Sequence, residues 1–172
     1  MITPDDKDWT WVLREPCPEC GFDAATCRPV DVAGLIRANA EDWRRLHVGG
    51  AIGPGRPDPG TWSRLEYACH VRDVYRRYDA RMAQMLTEDD PLYPNWDQDA
   101  SAVEDRYDEQ DAGEVIAALV AGAHQVADRL DGIDGDQWRR PGRRSDGAVF
   151  TLDTISRYLV HDPIHHIWDV TR

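Results

Sequence analysis

The chain has 172 residues, 41% of them hydrophobic, and a formal net charge of −12 at pH 7. This length suits one domain that buries its core without disulfides, and the acidic charge disfavours nucleic acid, whose phosphates would be repelled. No stretch approaches the ~20 apolar residues of a membrane span, and the N-terminus lacks the basic start and apolar run of a signal peptide. We therefore expect a cytoplasmic protein that acts on a small molecule, with neither nucleic acid nor membrane as a partner.

Residues 1–31 are predicted to form an irregular arm packed on the domain. This segment is rich in proline and carries Trp9, Trp11, the Cys-x-x-Cys pair Cys17 and Cys20, and then Cys27. Such a pair in a cytosolic chain indicates half of a zinc site or a redox pair, because structural disulfides are rare there. No second Cys-x-x-Cys and no βαβ pattern accompanies it. Two interpretations stay open: a second metal or redox site at the three cysteines, or an arm held only by its tryptophans.

Apolar residues that step by three and four along the chain predict four helices. They cover about residues 32–46, 61–86, 112–130 and 151 to the end, so the expected fold class is all-α over residues 32–172. The connections are a Gly/Pro-rich loop, an acidic segment with a short helix near residues 101–107, and a Gly-rich segment. The last of these carries four arginines, which predict either a solvated loop or an anion site: Arg139, Arg140, Arg143 and Arg144.

The last helix carries the main candidate for chemistry. His161 and His165 are one turn apart on one face, a spacing that lets two imidazoles share a divalent ion. A catalytic site needs a third protein ligand and one open position, and His70 in the second helix is the best upstream candidate. His166 points about 100° away from His165, so we expect its replacement to spare metal binding.

Pro163 lies between these histidines and allows two interpretations of the helix. It either kinks a continuous helix, or it begins a new one with Asp162 as the cap, which would separate His161 from His165. The apolar pattern continues across Pro163 without a phase shift, which favours the continuous helix.

These residues resemble the DinB-like (DNA-damage-inducible, YfiT-like) four-helix proteins. The similarity covers about residues 32–170: a long helix with His70, the approach from Trp138 to Thr151, and a terminal helix with His161-x-x-x-His165 and then Trp168-Asp169. It implies a four-helix bundle with up-down-down-up connections, often a homodimer, with zinc or nickel on three histidines. The cysteines of the arm lie outside it.

The resemblance also implies a class of activity. Relatives include thiol-dependent isomerases and S-transferases that use mycothiol or bacillithiol, so we expect a metal-dependent enzyme with a low-molecular-weight thiol as cosubstrate. The alternatives are a hydrolase in which Asp162 or another carboxylate moves a proton, and a non-catalytic metal-containing stress or binding module. Asp73 and Asp169 follow ligand positions by three and four residues and are candidates to orient imidazole N–H groups.

Overall fold

The architecture was taken from a computed structural model, which describes residue 2 and residues 7–172. Four long helices form a bundle, and each of the first two packs against both of the last two. A short helix, α3 (Gln98–Glu104), lies in the second connection. The long helices are α1 (Val32–Val48), α2 (Arg64–Thr87), α4 (Ala112–Asp131) and α5 (Leu152–Thr171). The prediction of four helices is confirmed.

Local capping explains where the two site-bearing helices begin. Ser63 accepts a hydrogen bond from the Glu66 backbone N–H (3.1 Å), and the Glu66 carboxylate accepts one from the Ser63 N–H (2.8 Å). This reciprocal cap starts α2 three residues later than the predicted Thr61. At α5, the Thr151 hydroxyl accepts from the Thr154 N–H at 3.2 Å.

A small sheet corrects the expectation of a purely all-α fold. Its strands are β1 (Leu92–Tyr93), β2 (Pro141–Arg144) and β3 (Val149–Thr151), with β2 in the middle. The β1–β2 pair is parallel and the β2–β3 pair antiparallel, so the sheet joins the two long connections. These segments are too short and too polar to show the alternation that identifies a strand in sequence.

The arginines of the third connection are held mainly by the protein itself. Arg140 donates to the backbone carbonyls of Met85 and Glu88, at 2.6 and 2.5 Å. Arg143 pairs with Asp90 at 3.0 Å. For Arg140 and Arg143 these contacts favour the loop interpretation over an anion site.

Helix α5 passes through Pro163 without restarting, as its apolar pattern predicted. The Asn39 side-chain amide of α1 donates to the Pro163 carbonyl at 2.7 Å, and the Tyr75 hydroxyl of α2 donates to Asn39 at 2.9 Å. Three helices are therefore connected at the turn that carries the histidines.

The N-terminal arm lies along α5. A 3-10 turn at Trp9–Leu13 packs against this helix, and the Arg157 guanidinium donates to the Ala24 carbonyl at 3.0 Å. Val12 and Cys17 are buried. The boundary at residue 31 between arm and bundle stays a prediction. In the part of the chain that the structure describes, no helix combines the length and apolarity that crossing a membrane requires.

Candidate metal centre

Four potential ligand residues of α5, at positions 161, 162, 165 and 166, form two interleaved pairs. His161 and His165 are one helical turn apart, and so are Asp162 and His166. A shift of one residue rotates a side chain by about 100° around the helix, so the two pairs face different neighbours.

The first cluster joins α2 to α5 through His70, Asp162 and His166. One potential ligand atom from each lies within 4.8 Å of the others. Asp162 Oδ1 is 3.3 Å from His70 Nε2 and 3.5 Å from His166 Nε2. This oxygen is buried and has no hydrogen-bond partner among the described residues, while the other carboxylate oxygen, Oδ2, is 3.4 Å from His70 Nε2. Two ring nitrogens and a carboxylate oxygen that converge in this way fit a divalent cation.

Aromatic rings and a carboxylate hold the two imidazoles of this cluster. The fully buried His70 ring stacks on Trp96 (ring centroids 5.1 Å apart, planes 8° apart) and contacts Trp62 at 5.2 Å. His166 Nδ1 is 2.9 Å from Asp169 Oδ2, which leaves Nε2 directed to the cluster. A carboxylate on the second ring nitrogen is typical of histidines that bind metals.

The second cluster joins the arm to α5 through Cys17, Cys20, His161 and His165. Their potential ligand atoms all lie within 4.8 Å of one another, and Cys17 Sγ is 3.6 Å from His165 Nδ1. His161 and His165 share a face, as their spacing predicted. The remaining cysteine of the arm, Cys27, is not in this group, and its thiol donates to the Arg28 carbonyl at 3.7 Å.

The structure therefore regroups the predicted three-histidine site. His70 does not join His161 and His165, because α2 faces the next pair around α5 while the arm covers the predicted pair. His166, whose replacement was expected to spare metal binding, lies in the first cluster, with its ring centroid 4.9 Å from that of His70. The effect of that replacement stays a prediction. Metal binding itself stays a prediction for both clusters.

The two predicted orienting carboxylates also have different positions. Asp169 lies beside both α5 histidines, but it is closer to His166 Nδ1 (2.9 Å) than to His165 Nε2 (3.8 Å). Asp73 instead accepts hydrogen bonds from Arg72 (2.8 Å) and Tyr107 (2.6 Å). Its carboxylate therefore belongs to a buried ion pair and not to the histidine cluster.

Burial and local charge set the protonation of the ligand groups. Burial lowers the pKa of His161 to about 4, so at pH 7 this imidazole is neutral and keeps a lone pair for a cation. Burial acts to raise the pKa of Asp162, but His70 and His166 outweigh it and hold that pKa below its ordinary value. Burial raises the pKa of the Cys20 thiol to about 11, so a cation here would have to displace the thiol proton.

A cavity of about 940 Å³ adjoins the first cluster and gives it access to small molecules. Asp162 and His166 form part of its wall, and so do His161 and His165 of the second cluster. The volume is at the upper end of the range for ligand pockets in proteins. The spacing of the histidines alone did not identify Asp162 as a potential ligand. The sequence did contain a signal for it, because Asp162 and His166 form a second i, i+4 pair on α5.

Comparison with known proteins identifies the family. Residues 23–170 match the model of the DinB superfamily. The structure is similar to YfiT from Bacillus subtilis, described as a probable metal-dependent hydrolase with an unusual four-helix bundle topology, with a TM-score of 0.68, 19% identity and 84% of each chain covered. At this identity the similarity shows the fold alone. No curated protein matches the sequence. Because the family match covers most of its length, the chain belongs to the DinB superfamily.

Proposed function

We propose that this protein is a divalent-metal-dependent enzyme whose ion is held by His70, Asp162 and His166. The observation that carries the proposal is the convergence of two ring nitrogens on the buried Asp162 Oδ1, which lacks a hydrogen-bond partner among the described residues. Three protein ligands leave a coordination position open, as catalytic sites require. The adjoining cavity gives a substrate access to that position.

Hydrolysis is the reaction that this ligand set supports best. A bound divalent ion would supply Lewis acidity that makes water a nucleophile near neutral pH. Two histidines and one carboxylate form the zinc site of well-known hydrolases. Asp169 fixes the orientation of His166, and the rings of Trp62 and Trp96 fix that of His70. The description of YfiT as a probable metal-dependent hydrolase agrees with this proposal.

Thiol transfer is the second candidate function. The family resemblance implies a thiol S-transferase or isomerase with zinc or nickel and a cosubstrate such as mycothiol. The size of the cavity, about 940 Å³, supports this function because a thiol and a second substrate can bind there together. The carboxylate of Asp162 weakens it, because a negative ligand reduces the net charge available to stabilise a thiolate.

Metal analysis and activity assays on matched histidine variants test the proposal. His70→Ala and His166→Ala should each lose about one ion per chain, while His124→Ala, at an exposed position of α4, should keep the wild-type content. Chromogenic ester, amide and phosphoester substrates, and conjugation assays with low-molecular-weight thiols, should then show activity only in proteins that keep this ion. Wild-type metal content in both His70→Ala and His166→Ala would refute the assignment. Loss of the ion with no activity in any assay would favour the binding-module alternative.

A further inference from the structure

The arm and α5 together form a second cluster that the proposed activity does not use. We propose that Cys17, Cys20, His161 and His165 bind a structural zinc ion that fastens the N-terminal arm to α5. Their potential ligand atoms lie within 4.8 Å of one another, and the pattern Cys-x₂-Cys with His-x₃-His is that of closed Cys₂His₂ zinc sites. Four protein ligands satisfy tetrahedral zinc and leave no position for a substrate.

The backbone of the arm presents both thiols to one side. The Gly21 N–H donates to the Cys17 carbonyl at 2.9 Å, and the Cys17 N–H donates to the Phe22 carbonyl at 2.8 Å, so the Cys-x-x-Cys segment forms a closed turn. Gly21 has a φ of +76°, a conformation that glycine adopts without strain. The turn therefore holds the backbone of the two cysteines in one closed loop before any ion is bound.

The histidines of this cluster have the surroundings of zinc ligands. His165 presents Nδ1 to Cys17 Sγ at 3.6 Å, while its Nε2 lies 3.4 Å from the carboxylate of Glu19, a residue between the two cysteines. Carboxylates commonly orient metal-bound imidazoles in this way. His161 Nε2 is buried and has no hydrogen-bond partner among the described residues. Buried polar atoms in proteins normally have a hydrogen-bond partner, and coordination of a cation by His161 Nε2 would replace the missing hydrogen bond.

Three of the four residues of this cluster are buried, Cys20 is partly exposed, and His161 and His165 also line the cavity described above. Cys17, His161 and His165 are 2%, 4% and 8% exposed. The Trp9 ring lies 5.6 Å from that of His161 and 5.4 Å from that of His165, and the Phe22 ring lies 6.0 Å from His161. Soft thiolates together with imidazoles favour zinc over the hard cations magnesium and calcium.

An ion that fastens the arm to α5 would also stabilise one wall of the cavity. Residues 7–10 line the same cavity as Asp162 and His166, and the arm reaches α5 through the Cys-x-x-Cys turn. A zinc ion at the turn would hold this part of the cavity wall in place, and its four protein ligands would leave it no coordination position for a substrate. The two ions would thus have separate roles, although their ligands alternate along one helix.

Metal content and thiolate spectroscopy test the proposal on the full chain purified under reducing conditions. Cys17→Ser/Cys20→Ser should carry about one zinc ion per chain fewer than the wild type, whatever ion the first cluster holds, because oxygen replaces the soft ligands. Cobalt-substituted wild type should show sulfur-to-metal charge-transfer absorption, which the double variant should lack. His166→Ala should keep this absorption, so failure of the proposed catalytic site would not be confused with failure of this one. Cobalt absorption that persists in Cys17→Ser/Cys20→Ser would overturn the proposal.

Alkylation of the wild type provides a test that needs no folded variant. Cys20 and Cys27 are both partly buried cysteines of the arm, and only Cys20 is in the cluster. Zinc should slow the alkylation of Cys20 by about tenfold or more relative to the chelator-treated protein, because a metal-bound thiolate is withheld from the reagent. Cys27 should change little. Equal rates for Cys20 with and without zinc, measured by peptide mass mapping, would overturn the proposal.

Discussion

The contact of Asn39 with the Pro163 turn predicts a large effect from a substitution outside both clusters. Asn39 is 4% exposed, donates to the Pro163 carbonyl at 2.7 Å and accepts from the Tyr75 hydroxyl at 2.9 Å. Asn39→Ala removes two hydrogen bonds of about 1 kcal/mol each and leaves the buried Tyr75 hydroxyl without its acceptor, which costs about 1–3 kcal/mol. These losses overlap, so we expect unfolding free energy to fall by about 2–4 kcal/mol.

Urea denaturation of metal-free protein measures this change without the contribution of bound ions. Tyr75→Phe, which removes one of the two hydrogen bonds, should cost about 1–2 kcal/mol. The double variant should cost less than the sum of the single changes, because both residues share one hydrogen bond. A loss below about 1 kcal/mol for Asn39→Ala would show that the amide does not connect the three helices as described.

Three further substitutions test the roles given to individual carboxylates. Asp73→Ala should destabilise the protein by about 3–5 kcal/mol in urea denaturation, because Arg72 is left buried without its carboxylate partner. Arg76→Ala, the control, should cost less than about 1 kcal/mol because the Arg76 side chain is 54% exposed. Asp169→Asn should weaken the binding of the ion at His70, Asp162 and His166 by about 10–100-fold in competition with a chelator. An unchanged affinity would exclude the role of Asp169 in orienting His166. Asp162→His should retain the ion, since an imidazole replaces the carboxylate, and raise thiol conjugation relative to hydrolysis; loss of the ion would show that the site requires the carboxylate.

The long helices were predictable because their signals are local. Apolar residues at three- and four-residue steps define each buried face, and the continuous pattern across Pro163 correctly favoured one helix there. The small sheet was not predictable in the same way. Its strands have two to four residues, and β1 pairs with β2 about fifty positions later, so the pairing depends on how the helices bring the two connections together.

The candidate site was predictable in its composition but not in its grouping. The spacing of His161 and His165 correctly placed two imidazoles on one face of α5, and the sequence also contained the cysteines that meet them. Helical spacing predicts which residues of one helix share a face, but it does not predict which other segment packs on that face. The sequence therefore did not show that His70 lies beside Asp162 and His166, and its predicted grouping with His161 and His165 stays untested by metal binding.

The alternation of ligands along α5 also has a mechanical implication for the two proposed sites. His161 and His165 lie toward the arm while Asp162 and His166 lie toward α2, so a rotation of α5 would change the contacts of both sets. With both ions bound, ligands on two sides would fix the rotation of this helix, and the Asn39 contact at Pro163 would fix the turn between them. The zinc ion of the arm would then act on catalysis through the position of α5, which is why its loss should lower activity while the ion at His166 is retained.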